Sequence, residues 1–285
     1  MSSELVLSHQ SFLPVFSLDW TGLFKKIEHL DGNYGVLAPV SVSPKLLCKI
    51  RDLGKPFFID HGVFEKEKIP WYYQLHSEFR AGRWMRKLQL REERQLRNKI
   101  RNYLDYCDQF EPDYVFALDI IGEPLLSLYL AQLNLEEYAL KTRKYHLIGV
   151  VQAGNTLYNW SNQLLSPFHN TLAPFYQSPK SFLCPLISRY RELGYEYIAL
   201  GGLLQKAPER KTGLKFGLSL EQLDNLLTWS RPEFVLGGLA LGRLDILKKH
   251  GVWADSTGWL WWNQRYDYKR FHNRNPLEEV LQASA

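Results

Sequence analysis

At six points along this chain a short apolar run ends in residues able to do chemistry. They are Asp60 after PFFI, Asp119 after DYVFAL, Gln152 after HLIGVV, Gly201 and Gly202 after YEYIAL, Gly237 and Gly238 after EFVL, and Asp255 after GVWA. Three carboxylates, an amide and bare glycine backbone suit covalent or acid/base work on a polar substrate. One carboxylate can attack a glycosidic carbon while another manages the proton of the leaving group. A purine-like ring fits such a set, because ring N–H donors suit a carboxylate and a ring carbonyl suits an amide or backbone N–H. A strand-end Asp is also a common helix N-cap, satisfying orphan amides without doing chemistry. Three of them at one mouth favour the chemical reading.

The elements that would bring them together are short β-rich runs at 34–39, 56–60, 113–119, 146–152, 195–202, 214–219, 233–238 and 251–256. Between them lie segments of helical periodicity such as SPKLLCKIRDLG, SFLCPLISRYRELG and SLEQLDNLLTWSRP. Eight strand–helix units in one chain of 285 residues predict a single (β/α)8 TIM-like barrel, with strands from about 34 to 256 and no linker dividing the chain. A doubly wound open sheet carries the same alternation. In a barrel the carboxyl ends of the strands build the active site, which is where the six strand ends fall.

The composition, 45% hydrophobic and 23% charged, excludes a disordered, collagen-like or coiled-coil chain. Cys48, Cys107 and Cys184 are far apart in sequence, so neither a disulfide framework nor a close pair of zinc ligands is expected. His146, His169 and His250 likewise have no neighbour at ligand spacing, and no metal is expected. The N-terminus lacks the pattern of a signal peptide, and the apolar stretch 114–133 is interrupted by Asp119, Glu123 and Pro124. A cytoplasmic protein without a membrane partner is the expectation. Charge is concentrated: residues 80–101 carry nine Lys/Arg and two Glu, hence +7, which leaves −2 for the rest of a +5 chain. Such a stripe points to a polyanionic partner. Its alternative is a solvated helix face on which Glu92 and Glu93 pair locally.

The order of motifs resembles that of the tRNA-guanine transglycosylase superfamily. Asp60-His61-Gly62 with Phe64 resembles its Asp-Ser-Gly-Gly-Phe/Tyr-Gln turn, Leu118-Asp119 its "FDE" strand, and Gly149-Val150-Val151-Gln152-Ala153-Gly154 its "G-I-V-Q-G-G" strand. Leu200-Gly201-Gly202-Leu203 resembles its "G-G-L" strand, and the run from Phe234 to Asp255 its "HLLG…GVD-FD" block. The likeness spans about 34–258, one short motif per strand. It implies Asp255 as the nucleophile on C1′ of a guanosine nucleotide and Asp60 as general acid/base. It further implies Asp119 on the purine's Watson–Crick edge. Gln152 and the Gly201-Gly202-Leu203 backbone would read the carbonyl and ring face, with His61 and Gly62 forming the turn against the base.

The departures narrow the substrate. No Cys-x-Cys-x-x-Cys cluster follows the barrel motifs, so the zinc subdomain of the tRNA enzymes is not expected. Leu203-Leu204-Gln205-Lys206 stands where the bacterial tRNA enzyme has a Glu associated with an aminomethyl group, which favours a neutral base such as 7-cyano-7-deazaguanine (preQ0). A barrel of this kind is most similar to the DNA-guanine transglycosylases, which exchange guanine in DNA for a 7-deazaguanine. The resemblance thus implies a base-exchange pentosyltransferase, a 7-deazaguanine co-substrate and no further cofactor. DNA is the implied partner, alongside proteins of DNA modification. Within a basic helical segment at 80–107, Arg83, Lys87, Arg91 and Arg94 recur at helical spacing for phosphate contact. Leu96, Ile100, Tyr103, Leu104 and Cys107 form the apolar face of that helix. In 258–285, Arg265, Lys269 and Arg270 interleave with aromatic residues, an arrangement suited to unpaired bases beside a phosphate track. Trp259 and Trp262 are expected to pack as core. Reaching C1′ in a duplex would require base flipping or a melted strand. The alternatives are a tRNA transglycosylase without its zinc domain, a non-catalytic nucleic-acid-binding paralogue and, less favoured, a glycoside hydrolase.

Overall fold

The computed structural model describes residues 11–18, 21–62, 90–120, 124–152, 179–201, 220–239, 241–256 and 276–284. Eight parallel strands close on themselves as β1 (Pro14–Ser17), β2 (Gly35–Pro39), β3 (Phe57–Asp60), β4 (Tyr114–Phe116), β5 (His146–Gln152), β6 (Tyr197–Gly201), β7 (Phe234–Val235) and β8 (Trp253–Ser256). Closure is made by β1 against β8, with Val15 beside Asp255. The expected (β/α)8 barrel is therefore present and the open sheet is not.

One strand assignment needs correction. The barrel starts at Pro14, not near residue 34, and the run at 34–39 supplies its second strand. The run at 214–219 lies outside the described residues, and β6 pairs directly with β7 through Ala199 with Phe234 and Leu200 with Val235, leaving no place between them for another strand. The physical reason is legible in PVFS itself. A four-residue strand buried throughout shows no polar alternation. Its proline sits at the first strand position, where a missing N–H is tolerated.

Around the barrel run α1 (Thr21–Ile27), α2 (Pro44–Arg51), α3 (Leu90–Asp108), α4 (Pro124–Tyr138), α5 (Pro179–Leu193), α6 (Leu220–Ser230), α7 (Leu244–His250) and α8 (Pro276–Ala283). In α2, Ser43 accepts the Leu46 N–H at 3.3 Å and Pro44 opens the first turn, a regular helix start. In α3 the expected apolar face is the buried one: Leu96, Ile100, Tyr103, Leu104 and Cys107 all lie in the core. Tyrosine hydroxyls latch helices to strands. Tyr103 donates to the Phe116 carbonyl and Tyr190 to that of Val150, each at 2.8 Å.

Strand alternation sorts the core into two sets. Phe16, Ile59, Val115, Val151, Leu200, Val235 and Ala254 point outward beneath the helices. Val15, Leu37, Phe58, Phe116, Val150, Ala199, Phe234 and Trp253 point into the lumen. At the amino ends of the strands the lumen is filled with aromatic rings. Tyr114 stacks on Phe58 at 4.8 Å and meets Trp253 and Tyr197 edge-on at 5.2 and 5.3 Å.

Candidate active site at the carboxyl ends of the strands

The same alternation decides what faces the mouth. Two residues beyond Val15, Phe58, Val150, Ala199 and Trp253 come Ser17, Asp60, Gln152, Gly201 and Asp255. Each is therefore the last lumen-facing residue of its strand or lies next to it. Asp119 arrives differently, since β4 ends at Phe116. The chain beyond β4 is held by α4: Asn134 accepts the Leu118 N–H at 3.2 Å and donates to the Leu118 carbonyl, while Ser127 bonds both the N–H and the carbonyl of Ile120. Asp119 lies between these two clamps and is buried.

The three carboxylates sit in different surroundings. Both oxygens of Asp255 accept a hydrogen bond, Oδ2 from the Ser17 hydroxyl at 2.7 Å and Oδ1 from the Gly237 N–H at 2.6 Å. Gly237 has φ +67°, the left-handed conformation that turns its amide toward the next strand and favours glycine. Burial pushes the Asp255 carboxyl above the usual range, and these two donors oppose the shift. Asp60 is pushed up to about 6, first by burial and then by the charge of Asp255, against the lowering effect of the His61 and Gly62 amides. The His61 N–H reaches Asp60 Oδ1 at 2.7 Å. Asp119 is pushed up to about 8 by burial and by the charge of Asp60, with Gln152 opposing. Asp119 and Asp255 cap no helix among the described residues.

Gln152 Nε2 donates to Asp119 Oδ2 at 2.5 Å, and Gln152 Oε1 is buried with no hydrogen-bond partner among the described residues. This amide lies across the backbone of β6. A methyl group at Gly201 would stand 2.4 Å from Gln152 Nε2, so any side chain at that register position would displace the amide from its present place. Gly149 has a packing role of its own, because the rings of Tyr190 and Tyr195 occupy the space a side chain would need. Burial lowers His61 to about 4, so its ring is neutral near pH 7, edge-on to Tyr103 at 5.2 Å.

The fold thus brings together Asp60, His61, Gly62, Asp119, Gln152, Gly201 and Asp255 from the sequence-predicted set. Gly202, Leu203, Arg83, Lys87, Arg265, Lys269 and Arg270 lie outside the described residues, as does the side chain of Arg91. Ser17, Asn134 and Ser127 were not predicted. Each is a small polar residue inside an apolar run, and a buried Ser or Asn must find a partner, which was the available signal.

The basic stripe is less free than its composition suggests. Arg97 pairs with Glu93 at 2.9 Å, Glu136 at 2.6 Å and Glu137 at 3.3 Å, and Arg101 pairs with Glu137 at 2.7 Å. Glu136 and Glu137 belong to α4, so the neighbouring helix joins Glu93 in the neutralisation, and the side chain of Glu92 lies outside the described residues. Arg94 is exposed and makes no ion pair among the described residues. No three His, Cys, Asp or Glu side chains among the described residues stand close enough to hold a metal ion. No helix there is long and apolar enough to cross a membrane.

No family model matches the chain, and no curated protein matches it. Among solved structures it is similar to the crystal structure of "a putative lyase/mutase from Burkholderia cenocepacia J2315", with a TM-score of 0.46 and 11% sequence identity, covering 96% of this chain and 90% of that one.

Proposed function

We propose that this barrel is a base-exchange enzyme, a DNA-guanine transglycosylase that replaces guanine with a neutral 7-deazaguanine such as 7-cyano-7-deazaguanine. The observation that carries the reading is the division among three converging carboxylates. One is held by two donors, one is tuned to about 6, and one is tuned to about 8 beside an amide.

In this mechanism an Asp255 oxygen bonds to C1′ as the bond from C1′ to guanine breaks. Guanine leaves with that electron pair and takes a proton from Asp60. The incoming base gives a proton back to Asp60 and attacks C1′, releasing the Asp255 carboxylate. The coupling between the two acids favours this order. The charge of Asp255 is one reason that Asp60 holds its proton tightly. Ester formation removes that charge, so Asp60 becomes the stronger acid when guanine needs the proton. Asp119 binds the N–H edge of the purine. Because burial and the charge of Asp60 push its carboxyl up to about 8, binding of such donors near pH 7 expels a proton.

DNA as the substrate is supported by the charge excess at 80–101, of which Arg94 remains exposed after Arg97 and Arg101 are accounted for. The test offers labelled 7-cyano-7-deazaguanine with DNA and with tRNA side by side. The proposal expects incorporation into DNA, and a band of protein covalently bound to DNA that is absent in Asp255→Ala. Incorporation by the Asp255 variant would sink the mechanism, and incorporation into tRNA alone would move the enzyme to the tRNA class.

A further inference from the structure

A nucleophilic carboxylate in a buried mouth needs to be charged, to be held still, and to be a good leaving group when the covalent intermediate breaks down. Among the described residues, Asp255 receives one side-chain hydrogen bond, from Ser17 across the closing seam of the barrel. The Ser17 hydroxyl is buried and lies on the lumen side of β1, two residues past the lumen-facing Val15. The second donor is the Gly237 backbone amide.

We propose that Ser17 is the positioning residue of Asp255, and that its hydroxyl orients the carboxylate, holds it in the charged form and speeds its departure from the glycosyl ester. The role in departure rests on Asp255 being the attacking group, while the effect on the carboxylate does not. A hydroxyl donating to a carboxylate stabilises the anion more than the neutral ester. It therefore favours the step in which the incoming base takes C1′ and the electron pair of the ester bond returns to the Asp255 oxygen. Without the donor, the carboxylate is more basic. It forms the ester readily when ionised and releases it slowly.

The test compares the full-length protein with Ser17→Ala and Ser17→Thr by two readouts. The first follows the Asp255 carboxyl by carbon NMR in protein labelled at the aspartate carboxyl carbons, with Asp255→Asn assigning the resonance. In Ser17→Ala the titration midpoint is expected to rise by about one pH unit, the tenfold that one charge-assisted hydrogen bond supplies, and Ser17→Thr restores it. The second measures the fraction of enzyme covalently bound to DNA during turnover with excess 7-cyano-7-deazaguanine. That fraction is expected to rise several-fold in Ser17→Ala while kcat falls, and the Thr variant reverses both. Ser230→Ala, which removes a buried hydroxyl bonded to the Leu226 carbonyl in α6, controls for loss of stability and leaves the Asp255 midpoint in place.

An unmoved midpoint in Ser17→Ala overturns the positioning role. A raised midpoint with a smaller covalent fraction than wild type overturns the role in departure. A raised midpoint with no covalent species in any variant keeps the positioning role and overturns the transglycosylase reading instead.

Discussion

Carboxylates at the two ends of this barrel lead different lives. At the amino ends of the strands, Asp113 accepts the Phe57 N–H at 2.8 Å, and Glu233 accepts the Ile198 N–H at 2.6 Å while pairing with Arg191 at 2.6 Å. Each satisfies a backbone donor at the start of a strand, and Glu233 adds a cation. At the carboxyl ends, Asp60, Asp119 and Asp255 face one another with no Lys or Arg paired to them among the described residues, and all three are pushed upward by burial. The first arrangement stabilises a fold. The second costs stability and leaves Asp60 and Asp119, pushed up to about 6 and about 8, with a protonation that changes near neutral pH.

The largest expected effect that sharpens this contrast is on activity. Asp255→Asn should lower base exchange by at least about a thousandfold without lowering the thermal midpoint, since it removes an unfavourably buried charge. Retained activity or a large loss of stability would place Asp255 with the structural acids. Next, Glu233→Ala should cost about 2–3 kcal/mol in urea unfolding, because it orphans the Ile198 N–H and leaves Arg191 without its acid, while the pH dependence of activity stays where it was.

A third prediction follows from proton linkage. An unfolded Asp titrates near ~3.9. Between that value and about 6 for Asp60, or about 8 for Asp119, the folded protein holds protons that the unfolded chain has released. Stability contributed by these groups is therefore full at low pH and is lost as pH rises through that window. Urea midpoints at pH 5 and pH 8 should show the decline, and Asp119→Asn should flatten it; an unchanged slope would place Asp119 in a solvated setting. The same proton makes guanine bind more weakly as pH falls below about 8, by up to ~10-fold per pH unit, which calorimetry in buffers of different ionisation enthalpy would register as proton release. The smallest effect concerns the outer surface. Arg94→Ala should reduce the salt slope of DNA binding by about one, whereas Arg97→Ala should act on stability, since its charge is already committed to α4.

Much of the mouth was legible because strand alternation is local. PFFID, HLIGVVQ and GVWADS announce both their burial and their terminal residue, and Asp60, Gln152 and Asp255 stand where those patterns end. What stayed hidden depends on contacts distant in sequence. Ser17 meets Asp255 across 238 residues, and the strand carrying it is too short and too uniformly buried to show a period. Arg97 and Arg101 read as free charges because their acids on α4 lie 36 to 40 residues away. Asn134 and Ser127 look like ordinary polar positions in an apolar helix until the chain around Asp119 is seen to hang from them.

The aromatic filling at the amino ends of the strands has a consequence for the order of events. Among the described residues, Tyr114, Phe58, Tyr197 and Trp253 fill the barrel at that end and leave it open at the carboxyl ends of the strands. Nothing delivered to the carboxylates can pass through and out of the far end. In the proposed base exchange the departing base would leave by the end at which its replacement enters. Double-reciprocal plots against the two substrates should then run parallel, with free guanine competing against the incoming base, as a covalent intermediate formed and resolved at one shared mouth requires.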